Sequence, residues 1–172
     1  VGCCRGLPSG YVSEINLRLQ PWFDAVAAAL RQGVLLLIDY GYSGAEYYHP
    51  ERDGGTLICH FRHRAHDDPL WLPGMQDITA HVDFTAVAEA ADSAGLAVSG
   101  YTSQAAFLLG CGIEQMLEGM AQKQDAEWFA LVEGFKRLVL PTEMGERFRV
   151  MALTRGLQTA PEGFTQDMRF RL

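Results

Sequence analysis

Val34-Leu35-Leu36-Leu37-Ile38-Asp39-Tyr40-Gly41-Tyr42 is the stretch that decides the fold. Five aliphatic residues follow one another without alternation, which predicts a strand covered on both faces, as in a parallel sheet. The run breaks at Asp39-Tyr40-Gly41, so a carboxylate, a phenol and a glycine arrive together at its carboxyl end. Open α/β sheets hold their ligands at that end. Upstream, Pro21 to Leu30 reads as a helix: Pro21 suits a first turn, the alanines favour the helix, and Gly33 marks the stop. Downstream, residues 43–83 form a loop-rich excursion with one strand at Gly55 to Phe61, too aromatic to be disordered. A helix over Phe84 to Ala94, stopped by Gly95, precedes a strand at Leu96 to Thr102. Helices are predicted over Ser103–Leu109, Ile113–Met120 and Asp125–Leu140, the amphipathic stripe of the last two packing on the sheet, with a partner surface as the alternative. Arg147 to Thr154 then alternates like a strand with one wet side, and the tail after Gly156 carries no readable pattern. This order predicts an α/β doubly wound sheet.

The 172 residues suit one domain with a substantial core, and 48% apolar, 10% aromatic and 20% charged residues are ordinary globular values. A formal charge of −7 argues against a nucleic-acid partner, which needs clustered bases. Only Lys123 and Lys136 are lysines, so no polybasic membrane patch exists, and the longest aliphatic run falls far short of a membrane span. An arginine-bearing protein segment suits the sign better. Cys3, Cys4, Cys59 and Cys111 follow neither a disulfide framework nor a zinc spacing, and the sequence opens without a secretion signal, which predicts a reducing, cytoplasmic setting. Val1-Gly2-Cys3-Cys4 has no initiating Met and no periodic pattern, so the chain reads as the later part of something longer.

All five histidines (His49, His60, His63, His66 and His81) fall in the excursion. Cys59, His60, His63, His66 and Asp67 offer metal-ligand chemistry, but a spacing of three suits no regular element, and hydrogen-bonded loop histidines account for them as well. No metal is therefore assigned. No GxSxG surrounds a serine, and Cys59 and Cys111 read as buried thiols. Gly110-Cys111-Gly112 has Gln115 where a third glycine would complete a dinucleotide loop, and reads as a turn between helices.

Further segments extend the pattern begun at Leu35: Glu46-Tyr47-Tyr48-His49-Pro50, Gly55-Thr56-Leu57, His60, His66-Asp67-Asp68-Pro69, Pro73-Gly74, Gln76-Asp77-Ile78-Thr79-Ala80-His81-Val82-Asp83-Phe84, Gly100-Tyr101-Thr102-Ser103-Gln104 and Glu143-Met144-Gly145. Together, over about residues 11–155, they closely resemble the MidA-like family of S-adenosylmethionine-dependent methyltransferases. Mitochondrial members of that family dimethylate an arginine on a respiratory complex I subunit and aid its assembly. The resemblance implies a Rossmann-like class I sheet of seven strands with an antiparallel last strand. Val34–Asp39 would be the fifth strand, Leu96–Thr102 the sixth and Arg147–Thr154 the seventh. It places the loop-rich insertion after the fifth strand and extra helices before the last. The family's glycine-rich loop and ribose-gripping acid have no counterpart here. Residues 1–172 are therefore expected to be the C-terminal portion of one methyltransferase domain, with S-adenosylmethionine bound mainly by residues outside this chain. The compartment implied is the cytoplasm, or the mitochondrial matrix in a eukaryote.

Methylating a guanidinium is largely a task of orientation. Carboxylates suit it because they grip the planar fork and polarise the attacking nitrogen. Asp39, Glu46 and Asp77 are the candidate catalytic acids; Tyr40, Gly41, Tyr42, Tyr47, His49, His81, Asp83 and Phe84 are candidate substrate contacts, the aromatics packing on the cation. Asp39 could instead cap the turn at Ser43 and Gly44. Two other functions compete with the methyltransferase reading: a non-catalytic assembly module using the excursion, and a metal-dependent hydrolase using its histidines. An uncovered sheet edge left by upstream strands would also favour self-association.

Overall fold

The structure, a computed structural model, describes residues 6–120, 125–157, 159 and 161–172; Cys3, Cys4 and Lys123 lie outside them. In chain order the elements are α1 (Leu19–Ala29), β1 (Gly33–Tyr42), α2 (Gly44–Tyr47), β2 (Ile58–Phe61), β3 (Arg64–His66), β4 (Asp77–Thr79) and β5 (Val82–Asp83). Then come α3 (Phe84–Ser93), β6 (Ala97–Ser103), α4 (Gln104–Gly110), α5 (Ile113–Met120), α6 (Ala126–Val139) and β7 (Phe148–Arg155), with a 3-10 turn at Arg169–Arg171.

The main sheet runs β5-β1-β7-β6. β7 lies antiparallel to β1, from Gly33 opposite Arg155 to Tyr40 opposite Phe148, and antiparallel to β6 on its other side. The last strand thus inserts, reversed, between two strands that share a direction. β5 adds a parallel contact only at Gly41 and Tyr42.

One face of this sheet carries the core. Phe23 and Ala27 of α1 and Phe84, Val87, Ala90 and Ala91 of α3 bury against Leu96, Tyr101, Met151 and Leu153, with Leu35 and Leu37 alongside. α3 begins at Asp83, whose Oδ1 accepts from the Thr85 and Ala86 amides at 3.0 and 3.1 Å. That satisfies two of the helix's open N–H groups, so Asp83 is the start signal of α3.

The coverage of the two long strands reverses expectation. Val34, Leu36 and Ile38 are 43%, 41% and 48% exposed, whereas β7 is buried from Arg149 to Thr154. β7 is central, with α1 and α3 on one side and α4 on the other, whereas the face of β1 that carries Val34, Leu36 and Ile38 stays open along those three residues. α5 and α6 also depart from expectation, since neither has a buried residue and both pack chiefly on α4. Gln104 Nε2 secures α6 by donating to the Leu138 carbonyl at 2.9 Å.

The excursion holds more than one strand. β2 pairs antiparallel with both β3 and β4 in a separate three-stranded sheet. β2 starts three residues later than predicted because Gly55 to Leu57 is held elsewhere, as described below. Cys59 is buried, as expected, but Cys111 is exposed. The patternless tail docks on the outer edge of β6, where the Met168 amide donates to the Tyr101 carbonyl at 2.7 Å.

Candidate functional site at the carboxyl end of β1

Neighbouring side chains on a strand point to opposite faces, and this splits the residues that the sequence placed together. Asp39 lines a groove of about 490 Å³ with Asn16, Arg18, Trp22 and Phe84, on the α1 side. Its Oδ1 accepts from the Tyr40 amide at 2.8 Å. The Gly44 amide is spent on Thr85 Oγ1 at 2.7 Å, so Asp39 does not cap that turn.

Tyr40 and Tyr42 gather instead with His81, Arg147 and Phe148 around a second cavity of about 460 Å³. Tyr42 stacks on His81 with ring centroids 5.1 Å apart, and Tyr40 meets His81 and Phe148 edge-on at 5.1 and 5.6 Å. The Arg52 guanidinium lies 4.1 Å from the centroid of Tyr42. Tyr42 therefore already carries a cation from its own chain. Burial, and then the charge of Arg52, hold the His81 imidazole below its usual pKa, so the ring is neutral at pH 7.

Gly41 has a packing task. A Cβ there would strike the Val82 carbonyl and the Phe84 ring, so its missing side chain admits β5 and α3 and leaves no opening for a substrate. Phe84 is 1% exposed and belongs to the core. Tyr47 is likewise buried, and its hydroxyl donates to Glu14 Oε2 at 3.2 Å. Asp83, besides capping α3, is pushed above the usual carboxylate range by burial, against the lowering effect of its cap bonds.

The remaining candidates are dispersed. Glu46 on α2 accepts from Arg171 at 3.4 Å, in a half-exposed pair. His49 is exposed, its Nδ1 accepting from the Glu51 amide at 3.3 Å. Asp77 sits on β4 opposite His60, on the small sheet and not at the β1 edge. Among the described residues no three His, Cys, Asp or Glu side chains converge as a metal-binding group.

Glu14 escaped sequence reasoning. Its carboxylate accepts from the Thr56 amide and hydroxyl and the Leu57 amide at 3.0–3.1 Å, as well as from Tyr47. Burial raises its pKa, but these bonds outweigh it and hold the group below the usual value. Thr56 Oγ1 in turn accepts from the His81 amide at 3.0 Å. Gly55, at φ +78°, brings the loop against the Glu14 carboxylate where a side chain would collide. One carboxylate thereby fixes the excursion and, through Thr56, the position of His81. Its partners lie about forty residues away in sequence, and no local pattern announces them.

The family model described as "putative S-adenosyl-L-methionine-dependent methyltransferase" matches residues 4–102, more than half of the chain. The chain belongs to this family. It is 34% identical over 127 residues to human protein arginine methyltransferase NDUFAF7, mitochondrial, covering 73% of this chain. It is 32% identical over 136 residues to the Drosophila melanogaster homolog, covering 74% of this chain. A crystal structure of an uncharacterized protein from Burkholderia thailandensis superposes on 97% of the chain with a TM-score of 0.92 and 42% identity. A second crystal structure from that organism, bound to S-adenosyl-homocysteine and named for methyl transfer, gives 0.87 and 42% over the same share. The chain spans 27% and 28% of the two curated relatives and 45% and 43% of the chains in the two crystal structures. The sheet order suits these relationships, and the fold is Rossmann-like. Among the described residues no helix is long and apolar enough to cross a membrane.

Proposed function

We propose that this chain is the C-terminal portion of a single methyltransferase domain whose complete form transfers a methyl group from S-adenosylmethionine to an arginine of a protein substrate. The observation that supports it most is the reversed β7 between β1 and β6, in a chain alike over nearly its whole length to a protein that binds S-adenosyl-homocysteine.

The residues present do not by themselves fit the cofactor. The turn leaving β1 is Ser43-Gly44, and its Gly44 amide is already committed to Thr85, so no free backbone cradle stands there. The cofactor is accordingly assigned mainly to residues outside this chain; when bound, it supplies the electrophilic methyl group. This chain supplies the substrate side. Asp39, exposed at the strand end with one carboxylate oxygen uncommitted, grips the planar guanidinium and aims its nitrogen. Glu46 is the next acid along the same edge, but Arg171 must release it first.

On the family resemblance, the substrate is a subunit of a respiratory complex in assembly, and the compartment is the cytoplasm or, in a eukaryote, the mitochondrial matrix. Two measurements test the reading. Mass spectrometry of substrate incubated with the complete protein should find methylarginine, and finding none would overturn the activity. Calorimetry of the 172-residue chain should find no micromolar affinity for S-adenosylmethionine; a micromolar constant would overturn the division of labour.

A further inference from the structure

The cavity between β1 and the start of β7 is not the place for the substrate guanidinium. Arg147 stands at it, and Arg52 already lies over Tyr42. A second cation would meet two positive charges and a neutral imidazole, with no acid among the residues lining the cavity. What the cavity offers is unspent donors. Arg147 is exposed and makes no hydrogen bond or ion pair to any described residue, and the hydroxyls of Tyr40 and Tyr42 make none either. His81 Nδ1 is enclosed without a partner. The ring edges of Tyr40 and Phe148 carry the positive rim of the aromatic quadrupole. Guanidinium, phenol donors and ring edges together fit a planar anion, and a carboxylate matches the guanidinium fork.

We propose that this cavity binds a carboxylate side chain of the protein substrate, with Arg147 as the residue that selects it. The inference rests on the arginine-methyltransferase reading and narrows it: the substrate segment carries an Asp or Glu near the arginine. The geometry suits a division between faces. Asp39 lies in the groove on the α1 side and the Tyr40–Arg147 cavity on the other, both at the carboxyl end of β1, so a segment crossing that edge meets an acid and then a base. Such a reciprocal pairing also sets the direction in which the segment lies, because reversing it opposes like charges at both ends. A polyanion is a poorer fit, since one unpaired arginine in a chain of charge −7 offers no track for a phosphate backbone.

The test uses the full 172-residue chain and fluorescent peptides with one arginine and a glutamate scanned over the four positions on either side, each matched by its glutamine twin. At one or more positions the glutamate peptide should bind about fivefold tighter than its twin, and Arg147→Gln should abolish the difference. Arg147 is exposed and has no partner among the described residues, so the variant should keep its thermal midpoint, and circular dichroism checks that it does. Glutamate and glutamine titrations that coincide at every position, including no binding by either, would overturn the proposal. So would a glutamate preference that survives in a folded Arg147→Gln chain. Citrulline in place of arginine separates the two layers: peptides that bind equally with citrulline would overturn the arginine reading itself, whatever the glutamate arm shows.

Discussion

Asp39 and Glu14 are both carboxylates near the end of β1, and their surroundings give them opposite characters. Asp39 is exposed and uses one oxygen for the neighbouring amide, which leaves it available to a ligand. In the complete enzyme, Asp39→Asn should lower methyl transfer at least about tenfold, some 1.4 kcal/mol of transition-state stabilisation, while the unfolding midpoint stays put. Turnover at the wild-type rate would remove Asp39 from the site. Glu14 is saturated by Thr56, Leu57 and Tyr47 and is a structural anchor. Glu14→Gln should destabilise the chain by about 1–2 kcal/mol near neutral pH, because charge-assisted bonds are replaced by weaker ones. The pH dependence has a definite sign. A folded-state pKa below the unfolded value means the contribution is complete above the unfolded pKa and is lost as pH falls through the folded one. Urea unfolding of wild type and variant should therefore converge between about pH 5 and pH 3. A constant gap across that window would show that the anchor does not depend on charge.

At the scale of elements, α1 and α3 are joined at their ends by a residue from neither. The Arg155 guanidinium, at the end of β7, donates to the carbonyls of Ala27, Leu30, Ala94 and Gly95. A helix leaves its last carbonyls open and its C-terminus partly negative, so one arginine answers both needs for two helices at once. Neither helix has a basic residue of its own in its last turn. Arg155→Met should cost about 2–3 kcal/mol in urea unfolding, more than a typical surface change, because several partly buried carbonyls lose their donor together. A loss under about half a kcal/mol would mean that water replaces the guanidinium at no cost.

For the molecule as a whole, the decisive feature is the side of β1 that faces away from β7. β5 reaches only Gly41 and Tyr42, so Gly33 to Tyr40 presents backbone groups without a strand partner among the described residues, beside exposed Val34, Leu36 and Ile38. Such an apolar edge invites pairing with another chain. Light scattering should find this chain associating at tens of micromolar, and Leu36→Lys should shift it toward monomer by placing a charge on the sticky face. A stable monomer at high concentration for the unaltered chain would count against this.

Outside residues 43–83, where one strand was expected and a helical turn and four strands stand, the succession of elements was legible in the sequence because it is set by local signals. Pro21 in the first turn and the alanines beyond it favour α1, Gly95 ends α3, and the aliphatic run makes β1; each works within a few residues of itself. The placement of an acid and phenols at the end of β1 was legible for the same reason. Coverage of the strands was not. The run Val34–Ile38 promised burial on both faces and is half uncovered, while the alternating Arg147–Thr154 promised a wet side and is buried throughout its middle. Burial depends on which elements arrive from elsewhere, and only the tertiary structure put β7 in the centre of the sheet with helices on both sides. The same holds for the charges. Nothing near Glu14 in sequence announces Thr56, Leu57 and Tyr47, and nothing distinguishes Arg147 from Arg149 two residues later. Folding buries Arg149 beside Glu146 and leaves Arg147 at the aromatic cavity without a partner among the described residues, because partners for a charge are chosen by position in space.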